Sequence, residues 1–171
     1  MNREDFLIFK NSNMVYFDNG ATTLKPIQVR DAINKYYDEY TANIHRGDYT
    51  NSLKVSELYD NCRELVRELI NAKHTSEIVF TSGTTASLND IAFGYFANHL
   101  KEGDEEGDEV LITESEHASN VLPWFILQKE LGIIVNYIPL NDNHEVTIDA
   151  LKSAISNKTK VVSIAHITNV I

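Results

Sequence analysis

One cysteine stands in 171 residues, so no internal disulfide can form and a disulfide scaffold is excluded. A reducing, cytoplasmic compartment is the expectation that follows. Seven glycines and three prolines are far too few for a collagen-like or low-complexity chain. No apolar run is long enough for a membrane span. The opening stretch MNREDFLIFK carries acidic residues and no small-residue cleavage site, so it does not read as a secretory signal. Positive charge is also scarce: 15 basic residues against 25 acidic ones leave a formal charge of -10. That balance argues against nucleic acid or an anionic membrane as the main partner. A local nest of backbone N–H groups can still hold a small anion on an acidic chain. What remains is ordinary globular composition, 43% hydrophobic and 23% charged, with length enough for a domain with a core.

The chain changes rhythm along its length. A polar arm with one apolar cluster, Phe6 to Phe9, precedes a short extended run that meets an Asn19-Gly20 turn. Pro26 stands where a helix would begin, and Ile33, Tyr36, Tyr37 and Tyr40 follow at helical spacing. Residues 41–51 read as a loop. From Ser52 to Asn71, Val55, Leu58, Cys62, Leu65, Val66 and Leu69 repeat with helical period, so Cys62 is expected as a small core residue rather than a reactive thiol. From Glu77 onward strands and helices alternate. Strands are expected at 77–81, 109–113, 133–138 and 160–165. Helices are expected over 88–100, near Pro123 to Leu131 before Gly132, and from a Thr147 cap through Ile155. The order implies an α/β fold, a mostly parallel sheet with helices on both faces. The acidic run Gly103 to Glu109 reads as a solvated loop that tolerates insertion.

Ligands of such sheets sit at the carboxyl ends of strands. Three polar phrases fall there. Ser82-Gly83-Thr84-Thr85 brings a glycine, two hydroxyls and the amides of a helix N-terminus together, an arrangement that suits a phosphate monoester but also caps many helices with no ligand. Neither the Walker pattern nor the dinucleotide pattern occurs. His117, beside Glu116, stands where an imidazole stacks on a planar ligand, moves a proton, or simply meets solvent. His166 and Asn169 follow the last strand, where an amide donates to a phenolate or carboxylate oxygen or serves a turn. His45 and Arg46 lie in the loop before the long helix, within reach of an anion or solvated. Metal binding is not expected, because the six histidines show no ligand spacing and a single cysteine offers no thiolate cluster.

Five phrases in this order resemble the class V aminotransferase superfamily of pyridoxal-phosphate enzymes, in particular the cysteine desulfurase and selenocysteine lyase branch. They are Tyr16 to Thr23, Asn43 to Gly47, Phe80 to Thr85, Glu116 to Asn120 with Pro123-Trp124, and His166 to Val170. The resemblance implies pyridoxal 5'-phosphate as cofactor and the N-terminal part of a fold-type I large domain. By resemblance, Thr84 and Thr85 hold the cofactor phosphate. His117 stacks on the ring and moves protons as the catalytic residue. Asn169 sits near the ring hydroxyl and the substrate carboxylate. Ala21, His45 and Arg46 border the substrate. Residues 1–50 form an arm, helix and substrate-side loop, and 51–171 a partial cofactor-binding domain truncated after the strand ending near Ala165.

The same resemblance implies a small amino-acid substrate, cysteine or selenocysteine, which loses sulfur or selenium to give alanine. It also implies a homodimer and a sulfur-acceptor protein for the intact enzyme. Two departures stand out. Ser82 occupies a place where the family often has arginine, and the acidic run near Glu105 is extra. Family members are about twice as long, and the Schiff-base lysine and the nucleophilic cysteine belong to the part without a counterpart here, so the chain is expected to be inactive alone. A non-catalytic product that self-associates, an aminotransferase or kynureninase-like enzyme, and another phosphate-ligand binder are the alternatives.

Overall fold

The computed structural model describes residues 2–99 and 107–168. The chain forms two compact units, Met1–Val79 and Phe80–Ile171. No helix among the described residues is long and apolar enough to cross a membrane.

The first unit is helical. Two 3-10 turns, Arg3–Asp5 and Leu7–Lys10, precede helix α1 (Ile27–Glu39), which starts directly after Pro26. Helix α2 (Thr50–Leu69) follows. It closes through Asn71, whose left-handed φ of 55° lets the Ala72 N–H return to the Arg67 carbonyl at 2.9 Å. The helical period of α2 is as expected, but its burial is not. Only Ser52 and Val55 are buried, whereas Leu58, Leu65 and Leu69 are 45%, 66% and 84% exposed. Cys62, expected in a core, is exposed as well. An amphipathic stripe marks a face that needs a covering surface, and no described element of this unit covers it.

The expected strand at 77–81 is also absent. Thr75–Glu77 form a 3-10 turn, and the following residues run without a ladder. Ile78 is buried, and its carbonyl accepts from the Arg63 guanidinium, while Val79 is 75% exposed. A strand is defined by its neighbour, and no described residue forms a ladder with this stretch.

The second unit holds a three-stranded sheet in the order β2-β1-β3, with β1 at Glu109–Thr113, β2 at Ile134–Ile138 and β3 at Thr159–Val162. Both pairings are parallel, with Val110 opposite Val135 and Val161. All five residues of β1 are buried. Val110 and Ile112 face a cluster with Ala92, Trp124 and Leu127. Leu111 points to the opposite face by strand alternation and is 1% exposed. Burial on both faces explains why β1 reads as an unbroken apolar run.

Helix α3 (Thr84–Asn89) continues as a π-helical turn, Asp90–Tyr95, and a 3-10 turn, Phe96–Asn98. Helix α4 (Ala118–Leu131) begins five residues before Pro123, because the His117 side chain caps it, and ends at Gly132 with φ 74°. Helix α5 (Ile148–Ala154) starts from the expected Thr147 cap, whose Oγ1 accepts from the Ala150 N–H at 3.1 Å.

The amino end of the sheet corrects the acidic-loop reading where it can be compared; residues 100–106 lie outside the described residues. Asp108 and Glu109 are 5% and 7% exposed, not solvated. Glu109 opens β1, and its carboxylate accepts from Asn136 Nδ2 at 2.6 Å, from Ser156 Oγ at 3.1 Å and from Thr159 Oγ1. Gly107 precedes it at φ +115°, and a Cβ there would stand 2.5 Å from the Lys158 carbonyl oxygen. Only glycine suits both the conformation and the contact.

Candidate functional site

The carboxyl end of the sheet gathers two of the sequence phrases, with the segment leaving β3, around one open cleft of about 200 Å³. Thr84, Glu116, His117, Asn120 and Ser163 contribute to its walls. Thr84 and His117 arrive there for local reasons. Gly83 has φ +156° and ψ 175°, a region open essentially to glycine alone, and this turns the chain into α3. A Cβ at Gly83 would meet no protein atom within 4 Å, so backbone conformation and not packing demands the glycine. The helical ladder begins with the Ser87 N–H donating to the Gly83 carbonyl at 3.1 Å. The amides of Thr84, Thr85 and Ala86 precede that ladder and face outward as a helix start does. Thr84 lines the cleft; Thr85 is exposed beside it and is not part of the wall.

His117 stands on the facing phrase. Its Nδ1 accepts from the Ser119 N–H at 3.2 Å and lies 2.7 Å from Ser119 Oγ. The cap therefore fixes the imidazole by one nitrogen, and the ring itself stays exposed. An anion held at the amides of α3 and a flat group held near an imidazole are what these walls can supply chemically.

Glu116, Asn120 and Ser163 form a network that reading the sequence left without a role. Glu116 Oε1 accepts from Thr113 Oγ1 at 2.9 Å and from the Ala165 N–H at 2.8 Å, and its Oε2 accepts from Asn120 Nδ2 at 2.7 Å. Asn120 Nδ2 also donates to the Ser163 carbonyl at 3.2 Å, and Asn120 Oδ1 accepts from Ser163 Oγ at 2.5 Å. The partners are 43 and 49 residues apart in sequence, beyond any local pattern.

His166 is exposed and lines a second cleft of about 490 Å³ together with His144, not the one that holds His117. Asn169 lies outside the described residues.

The remaining expected residues belong to the first unit. Ala21 sits in a turn where its N–H donates to the Asp18 carbonyl at 3.2 Å, closed by the Tyr16 hydroxyl donating to the same carbonyl at 3.1 Å. His45 takes a positive φ of 52°, its N–H donates to Ser56 Oγ at 2.9 Å, and its Nε2 lies 3.9 Å from Asp60 Oδ1. Arg46 makes no hydrogen bond or ion pair among the described residues. Ser52 Oγ donates to the Asn43 carbonyl at 3.0 Å, so two serines strap this loop to the first turns of α2. Those serines lie one helical turn apart, a spacing that was visible in the sequence.

A parallel sheet with helices and polar phrases at its carboxyl end places the protein in the α/β class, whose ligands sit at strand ends. The family is defined by the sequence match: the aminotransferase class-V model covers residues 15–171, and the chain belongs to that family. It is 41% identical over 161 residues to a probable cysteine desulfurase of Staphylococcus epidermidis, an alignment that covers 94% of this chain and 38% of that protein. A probable cysteine desulfurase of Staphylococcus aureus is 42% identical over 158 residues, covering 92% of this chain and 37% of the relative. Among solved structures, the apo cysteine desulfurase of Thermococcus onnurineus NA1 superposes with a TM-score of 0.87 at 35% identity, over 98% of this chain and 40% of that one. The chain thus spans under half the length of the relatives it matches.

Proposed function

We propose that these residues form the phosphate and ring side of a pyridoxal 5'-phosphate site in an enzyme of the cysteine desulfurase kind. One observation carries the reading: Thr84, at the start of α3, and His117, at the start of α4, line the same cleft at the carboxyl end of one parallel sheet. The donor set fits the group. Three amides ahead of a helical ladder, with Gly83 leaving open space beside them, suit a phosphate. An exposed imidazole pinned through Nδ1 suits a flat aromatic ring.

When bound, the cofactor supplies an electron sink for the amino-acid substrate. The chain's own residues do the rest. Thr84 and Thr85 would hold the phosphate. His117 is the catalytic residue: its Nδ1 accepts from the Ser119 N–H, which leaves Nε2 as the nitrogen that carries a proton toward the cleft's ligand. Asn169 serves the ring hydroxyl and substrate carboxylate, and Ala21, His45 and Arg46 serve the substrate; residues 1–50 are the substrate side and 51–171 the partial cofactor domain. The substrate is cysteine, converted to alanine with its sulfur passing to an acceptor protein, in a cytoplasmic homodimer. A selenocysteine lyase is the second reading, favoured by the same phrases. No lysine here stands in a phrase that the resemblance assigns to cofactor capture, so turnover by these 171 residues alone is not expected.

Thermal melting of the 171-residue chain tests the binding claim. Pyridoxamine 5'-phosphate is the probe, because it lacks the aldehyde that would react with any lysine. The expected result is stabilisation by this ligand and none by adenosine monophosphate, since only a ligand of the native state raises its stability. Gly83→Ala is expected to remove the effect. Equal stabilisation by both ligands, or full retention in Gly83→Ala, overturns the reading. Alanine release from cysteine by the purified chain would separately refute the expectation of inactivity.

A further inference from the structure

We propose that Glu116 is a positioning residue, an acceptor-only latch that fixes the His117 end of the cleft against the segment leaving β3. This rests on the cofactor reading above and assigns a role that the reading does not contain. All of the latch's partners act as donors: Thr113 Oγ1 and the Ala165 N–H reach Oε1, and Asn120 Nδ2 reaches Oε2. Ser163 settles the polarity. Its hydroxyl donates to Asn120 Oδ1 while its carbonyl accepts from Asn120 Nδ2, so the amide must turn its nitrogen toward Glu116. Asn120 is 7% exposed and cannot exchange these partners for water. The carboxylate therefore joins the last residue of β1, the first turn of α4 and the backbone after β3 at one point. His117 is the neighbour of Glu116 in the chain and the cap of α4, so its ring is placed by that junction. The α3 amides take no part in it.

This division gives the test. Glu116→Gln keeps the size of the side chain but turns one acceptor into a donor. With its oxygen toward Ala165, its nitrogen faces the Asn120 nitrogen; reversed, its nitrogen faces the Ala165 N–H. One arm fails in either orientation. The 171-residue chain is titrated with pyridoxamine 5'-phosphate, which needs the ring end, and with inorganic phosphate, which needs only the α3 end.

For Glu116→Gln the expected result is about a tenfold weaker affinity for pyridoxamine 5'-phosphate, with phosphate affinity kept within about twofold. Ala165 amide exchange should accelerate by about tenfold while Val110 and Ile112 keep their protection, and the His117 imidazole nitrogen signals should move. Ser163→Ala leaves both carboxylate arms in place and should show the same split at about threefold, which keeps the test available if Glu116→Gln does not fold. Equal losses for both ligands, or unchanged Ala165 exchange and His117 signals, overturn the latch. If the wild-type chain binds neither ligand, the cofactor reading fails, and the latch is still decided by the Ala165 exchange and His117 signals, which need no ligand.

Discussion

Glu109 opens the buried strand β1, and Glu116 stands just past its other end. Each carboxylate accepts three hydrogen bonds from neutral donors. They differ in what the donors belong to. Glu109 draws on side chains of Asn136, Ser156 and Thr159, which belong to β2, the turn before β3, and β3 itself. Its work is to hold three chain segments in register. Glu116 draws on the Thr113 hydroxyl at the end of β1, on a backbone amide after β3 and on the first turn of α4, next to His117. The same chemistry at one end closes a sheet, and at the other end poses a site. The position of a hydrogen-bonded carboxylate along a parallel sheet therefore says more about its role than its hydrogen-bond count.

The amino end should fail as structure alone, and the largest effect belongs there. Gly107→Ala puts a Cβ 2.5 Å from the Lys158 carbonyl at a φ of +115°. The combined strain and clash should cost about 3 kcal/mol. Urea unfolding followed by Trp124 emission reads this directly, since the chain has one tryptophan and it is buried in the second unit. A variant as stable as the wild type would show that the amino end is not built as described.

Glu109→Ala is the next step down. It leaves the Asn136, Ser156 and Thr159 donors without their shared acceptor, with an expected loss of about 2 kcal/mol. The comparison sharpens in the ratio of ligands. Affinities for pyridoxamine 5'-phosphate and for inorganic phosphate should fall together or not at all, unlike the split expected of Glu116→Gln. A split in Glu109→Ala would erase the distinction between the two ends.

How far the sequence reveals each end follows from the range of the interactions. β1 is found at Glu109–Thr113 as expected, because a doubly buried strand writes an apolar run into its own residues. The Thr147 cap and the Gly132 stop are equally local. His117 reaches the cleft from the carboxyl end of β1, as parallel order implies, whereas Thr84 reaches it from a stretch that forms no ladder among the described residues. The Glu116 latch was hidden, because its donors lie up to 49 residues away and a glutamate beside a histidine in a polar phrase looks like a solvated charge. Glu109 was hidden for the same reason inside an acidic run. The exposed stripe of α2 and the missing strand at 77–81 show the converse: periodicity records which face an element offers, and burial depends on a surface the pattern does not contain.

A third glutamate marks the weak limit of the comparison. Glu64, on α2, accepts from Arg67 at 2.6 and 2.8 Å, and both groups are partly exposed. The hydrogen bonds from Arg67 hold the Glu64 carboxyl below its ordinary value of 4.5. The sign follows from linkage. With the folded value below the unfolded one, the stabilisation is present above the unfolded value and disappears as pH falls through the folded value. Solvent screening makes it small, unlike the buried Glu109 clasp. Arg67→Gln should return the Glu64 midpoint, read from its carboxyl carbon shift, to about the ordinary value, and 1 M salt should do part of the same in the wild type. Trp124 unfolding should not change in either case. If Arg67→Gln lowered the Trp124 transition as much as Glu109→Ala does, partner charge and not burial would be what ranks these three carboxylates.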